Sequence, residues 1–145
     1  MTERPFRLAA PAGWEPVPGV AGVALALQEP AVPSSGFRAN VTVTAEPAGE
    51  AGAEDYTDRA LAAQDELLEA HRTIDRCADR LGELAGTRTL GHHDHAGHAV
   101  VISQWRTVDR GVGWTVTASC AALDYAGLAD ELDACAESFR LEAPA

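Results

Sequence analysis

The segment His92-His93-Asp94-His95-Ala96-Gly97-His98 places four imidazoles and a carboxylate within seven residues. These are ligand types that zinc, nickel and copper accept. In an extended segment His93 and His95 share a face, and His98 returns across an Ala96-Gly97 turn, while His92 points the other way. No cysteine joins the set, and no distant acidic partner can be named from the sequence. The segment therefore reads first as a polar hairpin tip. Second, it reads as a metal- or small-ligand-binding hairpin built on His93, His95 and His98. Its imidazoles titrate near neutrality, so a pH-sensitive surface is a further reading.

A second pattern is a row of hydroxyls. Thr42 and Thr44 lie on the polar side of one extended segment, and Thr115, Thr117 and Ser119 on that of another. Arg38 and Asn40 extend this surface if the two rows face the same way. Flat sheet faces and open edges are natural docking places for partner segments. The competing reading is a β-prone face that is solvated or covered by a helix. Trp14, in a loop rich in Pro and Gly, is the tryptophan best placed to line a cleft. Trp105 and Trp114 read as packing anchors.

Patterns for covalent chemistry are missing. Ser103, Ser119 and Ser138 lack a GxSxG elbow, and the chain has no P-loop and no GxGxxG. Cys120 has no identifiable histidine partner. Asp130, Glu131 and Asp133 read as a solvated helix face rather than an acid–base pair.

The elements that position these residues follow from periodicity. Phe6–Ala10 and Val23–Leu27 predict short strands. Phe37–Glu46 alternates strictly, with Phe37, Ala39, Val41, Val43 and Ala45 on one face and Arg38, Asn40, Thr42, Thr44 and Glu46 on the other. Glu54 and Asp55 then open an amphipathic helix over Glu54–Arg72, where acidic groups suit the positive end of the dipole. Its stripe is Tyr56, Ala60, Ala63 and Leu67, flanked by Leu61 and Leu68. Thr73–Leu81 and Gly86–Asp94 predict two more strands. Ala99–Thr107 is apolar on both faces, as a covered central strand would be. Asp109-Arg110-Gly111 predicts a hairpin turn into the alternating strand Val112–Ala121. Asp124 is a candidate N-cap for a closing helix with the stripe Leu128, Leu132, Cys135 and Phe139.

Composition bounds the function. The chain has 145 residues, enough for one domain spanning 1–145 with a core of its own. It carries 22 acidic residues and 11 arginines, with no lysine, for a net charge of −11. That balance argues against nucleic acid, whose binding is driven by counterion release at cationic surfaces. Nothing approaches the roughly 18 apolar residues of a membrane helix, so no membrane insertion is expected. The first residues lack the apolar core of a signal peptide, which predicts a cytoplasmic protein. Cys77, Cys120 and Cys135 read as buried free thiols in a reducing compartment, although a Cys120–Cys135 bridge is compatible with their spacing.

Several of these segments together carry a resemblance. They are Pro11-x-Gly13-Trp14, Phe37-Arg38-x-Asn40-Val41-x-Val43, Gln104-Trp105, Gly113-Trp114-Thr115-Val116-Thr117 and Glu137-Ser138-Phe139-Arg140. In this order, around the first helix, they resemble the LpqN/DcrB-like branch of the PsbP-like superfamily, which is mostly actinobacterial. The resemblance spans nearly the whole chain. It implies an α/β/α sandwich around an antiparallel sheet, in agreement with the two apolar stripes. It also implies a mostly non-enzymatic family of lipoproteins, extrinsic photosystem subunits, a nuclear-import factor that binds a small GTPase, and chaperones of secreted effectors. Many LpqN-type proteins carry a signal peptide and lipobox, and neither is present here. No catalytic residue carries over.

The sequence thus predicts an α+β fold, an antiparallel β-sheet packed with two main helices. It predicts a protein that is not an enzyme and needs no cofactor. Its function is expected to be binding of another protein, or of a second copy of itself. A chaperone- or immunity-like accessory of a secretion system is one concrete form. The surface would be drawn from Trp14, Arg38, Asn40, Thr42, Thr44, Thr115 and Thr117. The alternative is a small-ligand or metal-binding module using the hairpin 92–98.

Overall fold

The computed structural model describes residues 4–143. The strands are β1 (Phe6–Arg7), β2 (Glu15–Pro16), β3 (Leu25–Gln28), β4 (Asn40–Pro47), β5 (Glu69–Leu81), β6 (Leu84–His95), β7 (His98–Asp109), β8 (Val112–Ala121) and β9 (Arg140–Leu141). Helix α1 (Ala53–Leu67) follows β4, and helix α2 (Tyr125–Glu137) follows β8 after one 3₁₀ turn. Seven strands form one antiparallel sheet in the order β2-β3-β4-β8-β7-β6-β5, while β1 and β9 pair separately. The chain leaves the sheet after β4, crosses it as α1, builds β5-β6-β7, and returns with β8 beside β4. This is the predicted α+β fold: a large antiparallel sheet with two helices packed on it.

Turn chemistry sets the hairpins. Arg110 and Gly111 both have positive φ, 50° and 76°. That is the mirror-image turn that matches strand twist, and glycine adopts it without a Cβ penalty. The predicted turn at Asp109-Arg110-Gly111 is therefore present, as is the one at Ala96-Gly97.

The apolar core lies between the sheet and α2. Val41 and Val43 of β4, Trp114, Val116, Ala118 and Cys120 of β8, and Trp105 of β7 meet Leu132, Cys135, Ala136 and Phe139 there. The closing stripe is thus buried as read, with Leu128 packed at its edge. Phe6, Trp114 and Phe139 stack with centroids 5.6–5.8 Å apart. Such pairs add roughly 0.5–1.5 kcal/mol beyond area burial, which anchors the N-terminal strand to the end of α2.

Several boundaries differ from expectation. The first helix ends at Leu67 rather than Arg72, because Leu68 turns to extended backbone and β5 starts at Glu69. The buried line of α1 is Tyr56 and Thr57, with Ala60, Leu61 and Gln64 half-buried, so Leu67 stays 80% exposed. Asp124 occupies the N-cap of α2 as read, but its side chain makes no capping bond and instead accepts a hydrogen bond from the Ser35 hydroxyl at 2.6 Å. Cys77 is exposed, and all three cysteines are free, so no Cys120–Cys135 bridge forms. Among the described residues no helix is long and apolar enough to cross a membrane.

Candidate functional site

The face of the sheet opposite α2 is polar, and α1 lies across it. Alternation along each strand decides which residues meet there. Register pairs Thr44 with Thr115 and Thr42 with Thr117 across β4 and β8, and Arg106 with Thr115 and Gln104 with Thr117 across β8 and β7. The two hydroxyl rows therefore adjoin directly, on the face that α1 covers in part.

Hydrogen bonds stitch α1 to this face. The Tyr56 hydroxyl is 2.9 Å from Thr115 Oγ1. Gln64 Nε2 donates to Gln104 Oε1 at 2.8 Å, and Gln104 Nε2 donates to Thr117 Oγ1 at 3.1 Å. The Thr87 hydroxyl donates to Glu54 at 3.2 Å. At the rim, Arg76 on β5 donates to Asp58 and to Glu54, each at 2.7 Å. His71, bent inward at the start of β5, lies with Nδ1 2.6 Å from Asp65 of α1.

At the centre of the layer is Arg106, 1% exposed. Its guanidinium donates to Thr89 Oγ1 at 3.1 Å and to Gln104 Oε1 at 2.7 Å. Burial pulls its pKa down to about 10, which still leaves it protonated at neutral pH. Burial likewise pushes the Tyr56 phenol up to about 12. The remaining groups are hydroxyls and amides. This central set can donate hydrogen bonds and hold charge, but none of its members is a base at neutral pH.

The cover is incomplete. Helix α1 packs over β5, β6 and β7. Beyond its edge, Asn40, Thr42, Thr44 and Thr117 are only half-buried. A groove of about 250 Å³ runs along that edge, lined by Glu46, Pro47, Tyr56, Arg59, Ala60 and Ala63.

The surface expected from sequence is therefore only partly assembled. Thr42, Thr44, Thr117 and Asn40 come together. Thr115 does not belong to an open surface, because it is buried against Tyr56. Trp14 packs against the core on the α2 side of the sheet. Arg38 is spent on its own loop, donating to the carbonyls of Glu29 at 2.6 Å and Pro30 at 3.0 Å. His93 and His95 share a face as expected, with ring centroids 6.5 Å apart, and His98 pairs with His95 across the turn, but the His98 ring packs edge-on against Phe37. Among the described residues no three His, Cys, Asp or Glu side chains are placed to hold a metal ion. Burial and the neighbouring imidazoles lower the His93 pKa, which favours its neutral form.

Sequence reasoning missed Gln104, Arg106, Thr87, Thr89 and His71. A signal was present for the first two, since Gln104 and Arg106 are long polar side chains on one face of a strand read as covered on both sides, which implies a polar partner there.

No family model and no curated protein matches the chain. Solved structures do. LpqN of Mycobacterium tuberculosis, described as involved in cell envelope biogenesis, superposes with a TM-score of 0.77 at 13% identity, covering 97% of this chain and 85% of that one. The cyanobacterial PsbP protein of Synechocystis superposes with a TM-score of 0.64 at 17% identity, over 94% of this chain and 86% of that one. The fold is PsbP-like.

Proposed function

We propose that this protein is a non-catalytic binding module of the LpqN/DcrB-like branch. Its partner is another protein, docked on the β4–β8 strip beside α1. One observation carries this reading. The helix layer stops short of β4, leaving Asn40, Thr42, Thr44 and Thr117 only half-buried and a groove open along the Ala60/Ala63 flank of α1. A segment laid along that groove would meet the Ala60 and Ala63 methyl groups, the Tyr56 ring and the charges of Glu46 and Arg59, a mix of specific polar contact and apolar area that suits protein recognition. An accessory role in secretion, inside the cytoplasm, is the concrete form that we favour. LpqN, whose fold is similar, is described as an envelope-biogenesis protein.

A photo-reactive residue at position 44 in the native host tests this. It should give discrete cross-linked products that Thr42→Arg abolishes. The same probe at the exposed Ala126 of α2 should give none. Equal products at both positions, or none at either, would overturn the reading.

A further inference from the structure

We propose that the layer between α1 and the sheet is a binding site for a small oxyanion, with Arg106 as its anchor and α1 as its cover. The site is distinct from the β4–β8 strip, and the proposal does not depend on that strip binding anything.

The first ground is the state of Arg106. Arg4, Arg7, Arg38, Arg76, Arg88 and Arg140 each reach a carboxylate within ion-pair distance. Arg106 is 1% exposed, yet its recorded partners are neutral, Thr89 Oγ1 and Gln104 Oε1, and its Nε is buried with no hydrogen-bond partner. A buried cation with no hydrogen-bonded anion is costly, and Glu46 acts on Arg106 through space without bonding to it. The contrast is sharper because the chain has 22 acidic residues to choose from.

The second ground is the opposite wall. Thr57 and Gln64, both on the inner line of α1, leave Oγ1 and Oε1 buried and unpartnered. Orphaned polar atoms thus occur on both sides of one layer, on the helix and on β7. Of these atoms Thr57 Oγ1 and Arg106 Nε can donate, whereas Gln64 Oε1 only accepts, and the Thr87 hydroxyl is already given to Glu54. A guanidinium with a free Nε–H, together with a hydroxyl donor, matches the lone pairs of a carboxylate or phosphate group. It does not match a cation or an apolar group.

The third ground is access. α1 is fixed to the sheet by hydrogen bonds between Tyr56 and Thr115, from Gln64 to Gln104 and from Thr87 to Glu54, and by the ion pairs of Arg76 with Glu54 and Asp58 at the rim. Ala63 is exposed, and Leu67 points outward. The Tyr56 ring is the one large apolar group of α1 held against the sheet, and the polar contacts around it exchange with water, so opening of the helix exposes little other apolar area. The groove along β4 is lined by Tyr56 and so reaches the edge of the layer. Long-range repulsion from the acidic surface is screened beyond about 10 Å at ordinary salt, which leaves short-range contact with Arg106 to decide binding.

The test follows the Arg106 Nε–H resonance in ¹H–¹⁵N spectra. Inorganic phosphate and acetate are titrated separately at constant ionic strength against chloride. A saturable shift with phosphate alone assigns a phosphoryl ligand; with acetate alone, a carboxylate; with both, a general oxyanion site. Amide exchange in α1 should slow at least threefold at saturation. Arg106→Met should weaken binding by tenfold or more, and Arg106→Lys should weaken it less, because it keeps the charge but loses the fork. If Arg106→Met folds poorly, the wild-type resonance alone still decides. A resonance that neither anion moves, or that chloride moves equally, would overturn the proposal.

Discussion

A single missing methyl group shapes the polar layer. Gly113 on β8 sits opposite Glu46 and Val108, and the Tyr56 ring packs against it. A Cβ there would be 2.4 Å from two atoms of that ring. Tyr56 is 4% exposed and tied to Thr115, so the ring has little room to retreat. Gly113→Ala should therefore cost about 2 kcal/mol, through overpacking and loss of the Tyr56–Thr115 bond. Tyr56→Phe, which loses only the bond, should cost about 1 kcal/mol. Urea midpoints at unchanged slope would check both. A Gly113→Ala variant as stable as wild type would mean that the ring is not held there. None of this is legible in the sequence, where Gly113 reads only as one beat of an alternating strand. The residue that needs the space is 57 positions away.

At the scale of elements, periodicity located α2 and β8 well, because each buries one apolar face in a shared core. It failed between α1 and β5. The apolar stripe of Tyr56, Ala60, Ala63 and Leu67 is present, but α1 turns a more polar line inward, because the sheet face beneath it is polar. The edge strand β5 is mostly exposed on both faces and carries register shifts between Glu69 and Arg72 and between Thr73 and Asp75. Such a strand gives no period-two signal, and its bulges and charges are what keeps an open edge from pairing with another chain. The two helices should differ in local stability as a result. α2 buries Leu132, Cys135 and Ala136, whereas α1 buries Tyr56 and Thr57. Native-state hydrogen exchange should show α1 amides opening at lower free energy than α2 amides, by on the order of 2 kcal/mol. Equal protection would show that polar contacts hold α1 as firmly as the apolar core holds α2.

At the scale of the whole molecule, the strands and helices are legible while their arrangement is not. The hydroxyl rows were visible, but their direct pairing depends on β8 returning beside β4, a long-range choice that local pattern does not encode. The same arrangement buries three weak acids, and this gives stability a pH dependence whose sign can be derived. Burial raises the Cys120 and Cys135 thiols from 9.0 to about 11 and the Tyr56 phenol from 10.0 to about 12. Between the ordinary and raised values the folded state keeps protons that the unfolded chain has released. Their contribution is therefore complete below about pH 9 and is lost as pH climbs through 11. Arg106 acts oppositely, since its lowered value favours the folded state only above about pH 10, and it offsets part of the loss. The thiols titrate first, so stability should fall from pH 9 upward, by on the order of 2 kcal/mol per thiol near pH 11. Chemical denaturation at pH 8, 9.5 and 10.5 would measure the slope. The Cys120→Ala/Cys135→Ala variant is less stable throughout through lost packing, yet it should show a flatter slope. A slope unchanged by removing both thiols would mean that alkaline unfolding starts elsewhere, with Tyr56 and the polar layer the next place to look.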